Sequence, residues 1–162
     1  MLTKRYKMTR RCFVGFSSTD KNYYDLMTAW KENENIDFDF IDCQLPQALD
    51  SENEAYIKRR CRERIEMSSR YILLIGQDTK HKYKYVRWEA EVAIEKGCTI
   101  IGVNLNGKRR LDDNLCPPII CDIGAIFVPF SPKIIQYALE HYIKKDSGNW
   151  YYKDEIYKSL GY

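Results

Sequence analysis

The chain has 162 residues, 44% of them hydrophobic and 30% charged, with 26 basic and 23 acidic side chains giving a net charge of +3. That length and balance belong to one folded globular domain and exclude a disordered or fibrous chain. No apolar run approaches the roughly twenty residues of a membrane helix, and the basic opening "MLTKRYKMTRR" lacks the apolar core of a secretory signal, so the expected compartment is the cytoplasm, with no membrane partner.

In chain order, residues 1–10 read as a solvated lead-in, 11–146 as the domain body, and 147–162 as an aromatic extension packed on it. The apolar run "CFVGF" (12–16) predicts a first strand, and "SSTD" supplies small capping residues for the helix in "KNYYDLMTAWKEN", where Leu26 and Trp30 form an i, i+4 pair. "IDFDFID" (36–42) alternates apolar and acidic residues, as a strand near a sheet edge does. "SENEAYIKRRCRERIEMSS" repeats Ile57, Cys61 and Ile65 at helical spacing, its charged residues forming a solvated flank. "YILLIG" (71–76) and "TIIGVNL" (99–105) are almost wholly apolar, as central parallel strands are. A strand at "AIFVPF" (125–130) and a helix in "PKIIQYALEHYIKK" (132–145) follow, and the final "GNWYYKDEIYKSLGY" reads as a helix or an aromatic tail. Alternating strands and helices imply an α/β fold with a parallel sheet of about five strands and helices on both faces. Ligands on such sheets bind beyond the carboxyl ends of the strands.

Several chemistries are disfavoured. No G-x-G-x-x-G follows the first strand, and neither a P-loop nor a G-x-S-x-G elbow is present. A flavin-phosphate loop of hydroxyls and backbone amides stays open after Gly15. Six cysteines without CxxC spacing fit a reducing compartment, and with two histidines no metal site is expected. The one concentrated basic run, Lys4, Arg5, Lys7, Arg10 and Arg11, is not the broad basic face that nucleic-acid binding requires.

The helix predicted over 83–97 carries the most informative carboxylate. At about 100° per residue, Val86, Ala90, Ala93 and Ile94 face the sheet, while Arg87, Glu91 and Glu95 form a solvent stripe. Glu89 lies off that stripe, beside Val92 on the early turns. Geometry leaves two readings open: a partly exposed helix glutamate, or a carboxylate facing the ligand crevice.

Three blocks resemble the bacterial TIR-like domains of Thoeris anti-phage systems, the ThsB type. They are "RCFVGFSSTD"; "FDFIDCQLP" with "YIKRRCRERIEMSSRYILLIGQDT"; and, most specific, "YVRWEAEVAIEKGCTIIGV", close to the family pattern W-V-R-[WY]-E-[IA] followed by a helix and G-x-x-I-I-G-[VI]. The resemblance implies a TIR (flavodoxin-like) three-layer fold. It implies that Glu89 is the catalytic residue for cleaving NAD+ at its nicotinamide–ribose bond, with NAD+ as substrate and no cofactor. Tyr85 stands where the family has tryptophan, as the expected aromatic wall, and the 79–85 loop is a residue longer than usual. Phe16, Ser17 and Ser18 fall where the first loop meets the nucleotide, and Asp42 ends the second strand. Their structural alternatives are core packing, helix capping and a turn.

The family further implies self-association through the 43–53 loop and an ADP-ribose-derived, cyclic product that reaches a separate effector by diffusion. The rival from another class is a non-catalytic TIR-like interaction or nucleotide-binding module.

Overall fold

The computed structural model describes residues 10–33, 38–42, 53–65, 68–82 and 84–162. Its strands are β1 (Arg10–Gly15), β2 (Phe38–Asp42), β3 (Arg70–Ile75), β4 (Thr99–Asn104), β5 (Ile123–Pro129) and β6 (Gly148–Tyr151). The helices are α1 (Lys21–Asn33), α2 (Glu54–Ile65), α3 (Tyr85–Glu95), α4 (Pro132–His141) and α5 (Asp154–Ser159). All strand pairs are parallel, in the order β2-β1-β3-β4-β5-β6. The expected α/β fold is present, and β2 lies at an edge, as its polar alternation predicts.

Strand alternation sorts the apolar residues into two cores. Phe13, Tyr71, Leu73, Ile75 and Phe127 meet Ile57, Cys61 and Ile65 of α2 and Val86, Ala90, Val92 and Ala93 of α3. On the other face Val14, Ile72, Leu74, Val103 and Val128 meet Met27 of α1, Ile134, Ile135, Ala138 and Leu139 of α4, and Tyr157 of α5. The result is three layers. Leu26, read as a packing position of α1, is exposed, while its neighbour Met27 is buried and Trp30 packs on Phe130 with ring centres 4.6 Å apart.

The final segment, read as a helix or a tail, contains the helix α5, and ahead of it the sheet gains an unexpected sixth strand. β6 has four residues and none of them is fully buried, so it carries no apolar run or alternation to read. Tertiary pairing creates it instead. Asn149 exchanges two hydrogen bonds with Asp122, at 2.9 and 2.8 Å, and the Arg110 guanidinium lies 4.1 Å from the Tyr151 ring.

The long β4–β5 connection is organised around one buried carboxylate. Asp112 accepts hydrogen bonds from Asn106 Nδ2 (2.9 Å) and from the backbone N–H groups of Asn114 (2.9 Å) and Leu115 (3.1 Å), with Lys108 Nζ at 3.1 Å. Asn104 secures the same loop by donating to the carbonyls of Lys108 (2.9 Å) and Arg110 (2.7 Å). Burial pushes the Asp112 pKa up, but the donors from Asn106, Lys108, Asn114 and Leu115 outweigh it and bring it down to about 2.

Because the folded pKa lies below the ordinary value, the stabilisation is complete above pH 3.8 and is lost as pH falls through about 2. Asp112→Asn should lower stability at pH 7 by roughly 1.5–3 kcal/mol and flatten the loss of stability over that acid window. Urea unfolding at pH 7 and across the acid limb checks this; an acid limb identical to the wild type would refute it.

Candidate active site

The chain leaves β1 for β2 on one side and returns to β3 on the other, so the strand order reverses between β1 and β3. The carboxyl ends of these two strands mark the place where open α/β sheets carry their ligand crevice. Gly15 closes β1 there, in register with Leu73.

Tyr71, two residues earlier and on the same face, runs its ring along the sheet over Gly15. A Cβ added to Gly15 would stand 2.1 Å from the Tyr71 hydroxyl and 3.1 Å from Glu89 Oε2. Glycine is therefore required by space, and its bare backbone is where the phenol and the carboxylate converge.

Glu89 is 3% exposed and belongs to the buried face of α3 with Val86, Ala90, Val92 and Ala93. Of the two readings left open by geometry, the partly exposed one does not apply, and Ile94 lies only at the margin of the buried face. α2 packs against this side of α3, and Cys61 lies near enough that, after burial, the Glu89 charge helps push its thiol pKa up to about 12.

The expected solvent stripe of α3 also has a structural task. Glu91 binds Arg87 at 2.9 Å and Lys58 of α2, and Glu95 binds Arg62 of α2 at 3.0 Å. The charged flanks of α2 and α3 therefore face each other. The Lys58 hydrogen bond is the main cause holding the Glu91 pKa below its usual range, with Arg87 adding to it against the effect of burial.

Two loops roof the crevice and are tied to each other. Ser17 Oγ lies 3.0 Å from Thr19 Oγ1, which donates to both Asp78 oxygens at 2.9 and 2.8 Å. The hydroxyls that resemble helix caps in sequence thus serve an inter-loop contact. Thr79 accepts the Gly76 N–H at 2.8 Å, and Asp20 packs so closely on Gly76 that an added Cβ would meet its Oδ2 at 2.3 Å. The two aspartates titrate apart. Burial and the Asp78 charge raise Asp20, against a Thr79 hydrogen bond. Burial also raises Asp78, but hydrogen bonds from Thr19 and Ser17 and the Lys82 charge bring it below its ordinary value.

The other sequence candidates are distributed unequally. Phe16 is buried in the α1-side core and stacks on Tyr24 with ring centres 4.8 Å apart. Ser17 is buried in the loop contact, and Ser18 is exposed. Tyr85 opens α3, exposed, edge-on to the half-buried Trp88 at 5.8 Å. Asp42 ends β2 opposite Val14, its side chain outside the described residues. The 43–53 loop lies outside them as far as residue 52, and Asn53 opens α2 by accepting the Tyr56 N–H at 3.1 Å.

Sequence reasoning did not single out Tyr71, Thr19, Asp78 or Thr79. A tyrosine leading an otherwise aliphatic strand was the available signal for the first. Among the described residues no helix is long and apolar enough to cross a membrane.

Residues 13–110, which contain Gly15, Tyr71, Asp78 and Glu89, match the family model described as Thoeris protein ThsB, TIR-like domain. The chain belongs to that family. No curated protein matches it. This TIR-like domain is thus a module of Thoeris anti-phage defence, and the match runs from within β1 through β4 to the first part of the β4–β5 connection.

If Gly15 makes room for Tyr71, Gly15→Ala should destabilise the fold by about 1–3 kcal/mol through overpacking. Tyr71→Phe, which removes the atom 2.1 Å from the new methyl, should recover part of that loss in the double variant. Additive losses in a double-mutant cycle would show that the two residues do not compete for the space.

Proposed function

We propose that this TIR-like domain cleaves NAD+ at the nicotinamide–ribose bond, with Glu89 as the catalytic carboxylate, and forms a cyclic ADP-ribose-derived signal for a separate effector in the cytoplasm. The observation that carries the reading is the position of Glu89: 3% exposed, on the helix that the family motif occupies, over the carboxyl end of β1 at the sheet's switch point.

The chemistry suits a single acid. Nicotinamide departs neutral from a cationic pyridinium, so no general acid is needed. The ribose left behind develops oxocarbenium character, which a carboxylate stabilises, as in glycosidases. A carboxylate that also accepts hydrogen bonds from ribose hydroxyls fixes the sugar's orientation. Seclusion from water favours ring closure by a nucleophile of the substrate itself over hydrolysis.

In this conformation the carboxylate is enclosed. We assign the sugar's access to it to self-association through residues 43–53. Tyr85, Ser17, Ser18, Phe16 and Asp42 are proposed to shape the nucleotide site around it, Phe16 from within the core.

Purified protein incubated with NAD+, with and without infected-cell extract, should release nicotinamide and yield a product whose mass identifies the closed ring. Glu89→Gln, near-identical in size, should cut release roughly 100-fold or more with an unchanged melting temperature. Equal release by both proteins would remove Glu89 from the reaction. NAD+ binding without release under every condition would instead establish the non-catalytic module.

A further inference from the structure

Past β4, the described cysteines include a pair that the proposed reaction does not use. Cys116 and Cys121 flank the one-turn 3-10 helix Pro118–Ile120, and their sulfurs lie 3.5 Å apart. Both thiols also point at the Pro117 carbonyl, at 3.5 and 3.6 Å. Cys116 is buried and Cys121 half-buried, whereas Cys12, Cys61 and Cys98 are buried. Among the described residues no group of three His, Cys, Asp or Glu side chains converges, so no third donor completes a metal site around this pair.

We propose that Cys116 and Cys121 are an oxidation site: a thiol pair that a peroxide converts to an intramolecular disulfide and that cellular thiols reverse. Cys121, the more exposed, attacks the peroxide as its thiolate. An S–O bond forms, the O–O bond breaks, and the departing hydroxide takes a proton to become water, leaving a sulfenic acid. Cys116 then attacks the Cys121 sulfur. The S–S bond forms, the S–O bond breaks, and the Cys116 proton leaves with the hydroxyl as a second water. Two thiols lose two electrons in all, and one peroxide gains them.

The order follows from environment. Burial first, and then the neighbouring Cys121, raise the Cys116 pKa, which suits it to resolve rather than to attack. Closure requires the sulfurs to approach by about 1.5 Å, since a disulfide spans about 2.05 Å. The surrounding loop is held by Asp112, which binds the N–H groups of Asn114 and Leu115 directly ahead of Cys116.

The site is placed to matter. Pro117, Pro118 and Ile119 wall a pocket of about 320 Å³ whose opposite side is Thr79, Val86 and Arg87. A ring closed by Cys116 and Cys121 would fix that wall against the first turns of α3, the helix bearing Glu89. The oxidation chemistry itself stands whether or not Glu89 cleaves NAD+.

The test uses the full chain, reduced, exposed to hydrogen peroxide, alkylated with N-ethylmaleimide and digested with trypsin. The peptide of residues 111–133 contains both cysteines and no others. It should emerge two hydrogens lighter and unalkylated, return to the dithiol with dithiothreitol, and form faster than oxidation of Cys12, Cys61 or Cys98 by roughly tenfold or more. In Cys116→Ser, dimedone should capture a sulfenic acid at Cys121 that it does not capture in the wild type. Both cysteines remaining alkylated in the wild type, or Cys121 advancing to the sulfinic acid beside a free Cys116, would overturn the proposal; the wild-type measurement decides it even if the variant fails to fold.

Discussion

Gly15 ends β1 without a side chain, and the phenol of Tyr71 fills the space any other residue would claim. Much of the crevice depends on that exchange. Tyr71 sits opposite Phe13 in the ladder and leans along the strand to cover Gly15, so a residue of the core reaches the rim of the sheet. α3 then closes over the same spot and brings the Glu89 carboxylate to it. A packing constraint between two neighbouring strands thereby fixes where a charged group can sit in an otherwise apolar layer, which few charged side chains enter without a partner or a purpose.

Above this point the loops after β1 and β3 behave as one piece. Thr19 and Ser17 bind Asp78, and Asp20 rests on Gly76, so a change in either loop is passed to the other through hydrogen bonds and close contact. The two strands supplying these loops are neighbours at the topological switch. The roof and the floor of the crevice are therefore both built from β1 and β3, while α3 brings the Glu89 carboxylate in from the side.

Much of this is legible in the sequence alone. Ile57, Cys61 and Ile65 marked the inner face of α2 because helical periodicity is a local property. The buried strands "YILLIG" and "TIIGVNL" declared themselves by lacking polar residues. Glu89 stood out because it left the charged stripe of its own helix. What stayed hidden depends on partners distant in sequence. β6 exists because β5 is there to pair with it. The Ser17, Thr19 and Asp78 contact joins residues 59 positions apart, and four-residue spacing in α3 could not reveal that Glu91 and Glu95 face Lys58 and Arg62.

Those ion pairs along the outer edge of α2 and α3 have a further implication. Apolar contacts through Ile57, Cys61 and Ile65 hold α2 from beneath and respond little to electrolyte. The half-exposed pairs at its margin are weak individually and are shielded within about 8–10 Å at cellular ionic strength. α2 is thus fastened to α3, the helix of the enclosed carboxylate, by two kinds of hold, one indifferent to the surrounding ions and one graded by them. How firmly the two helices hold together is in part a property of the fluid around the molecule.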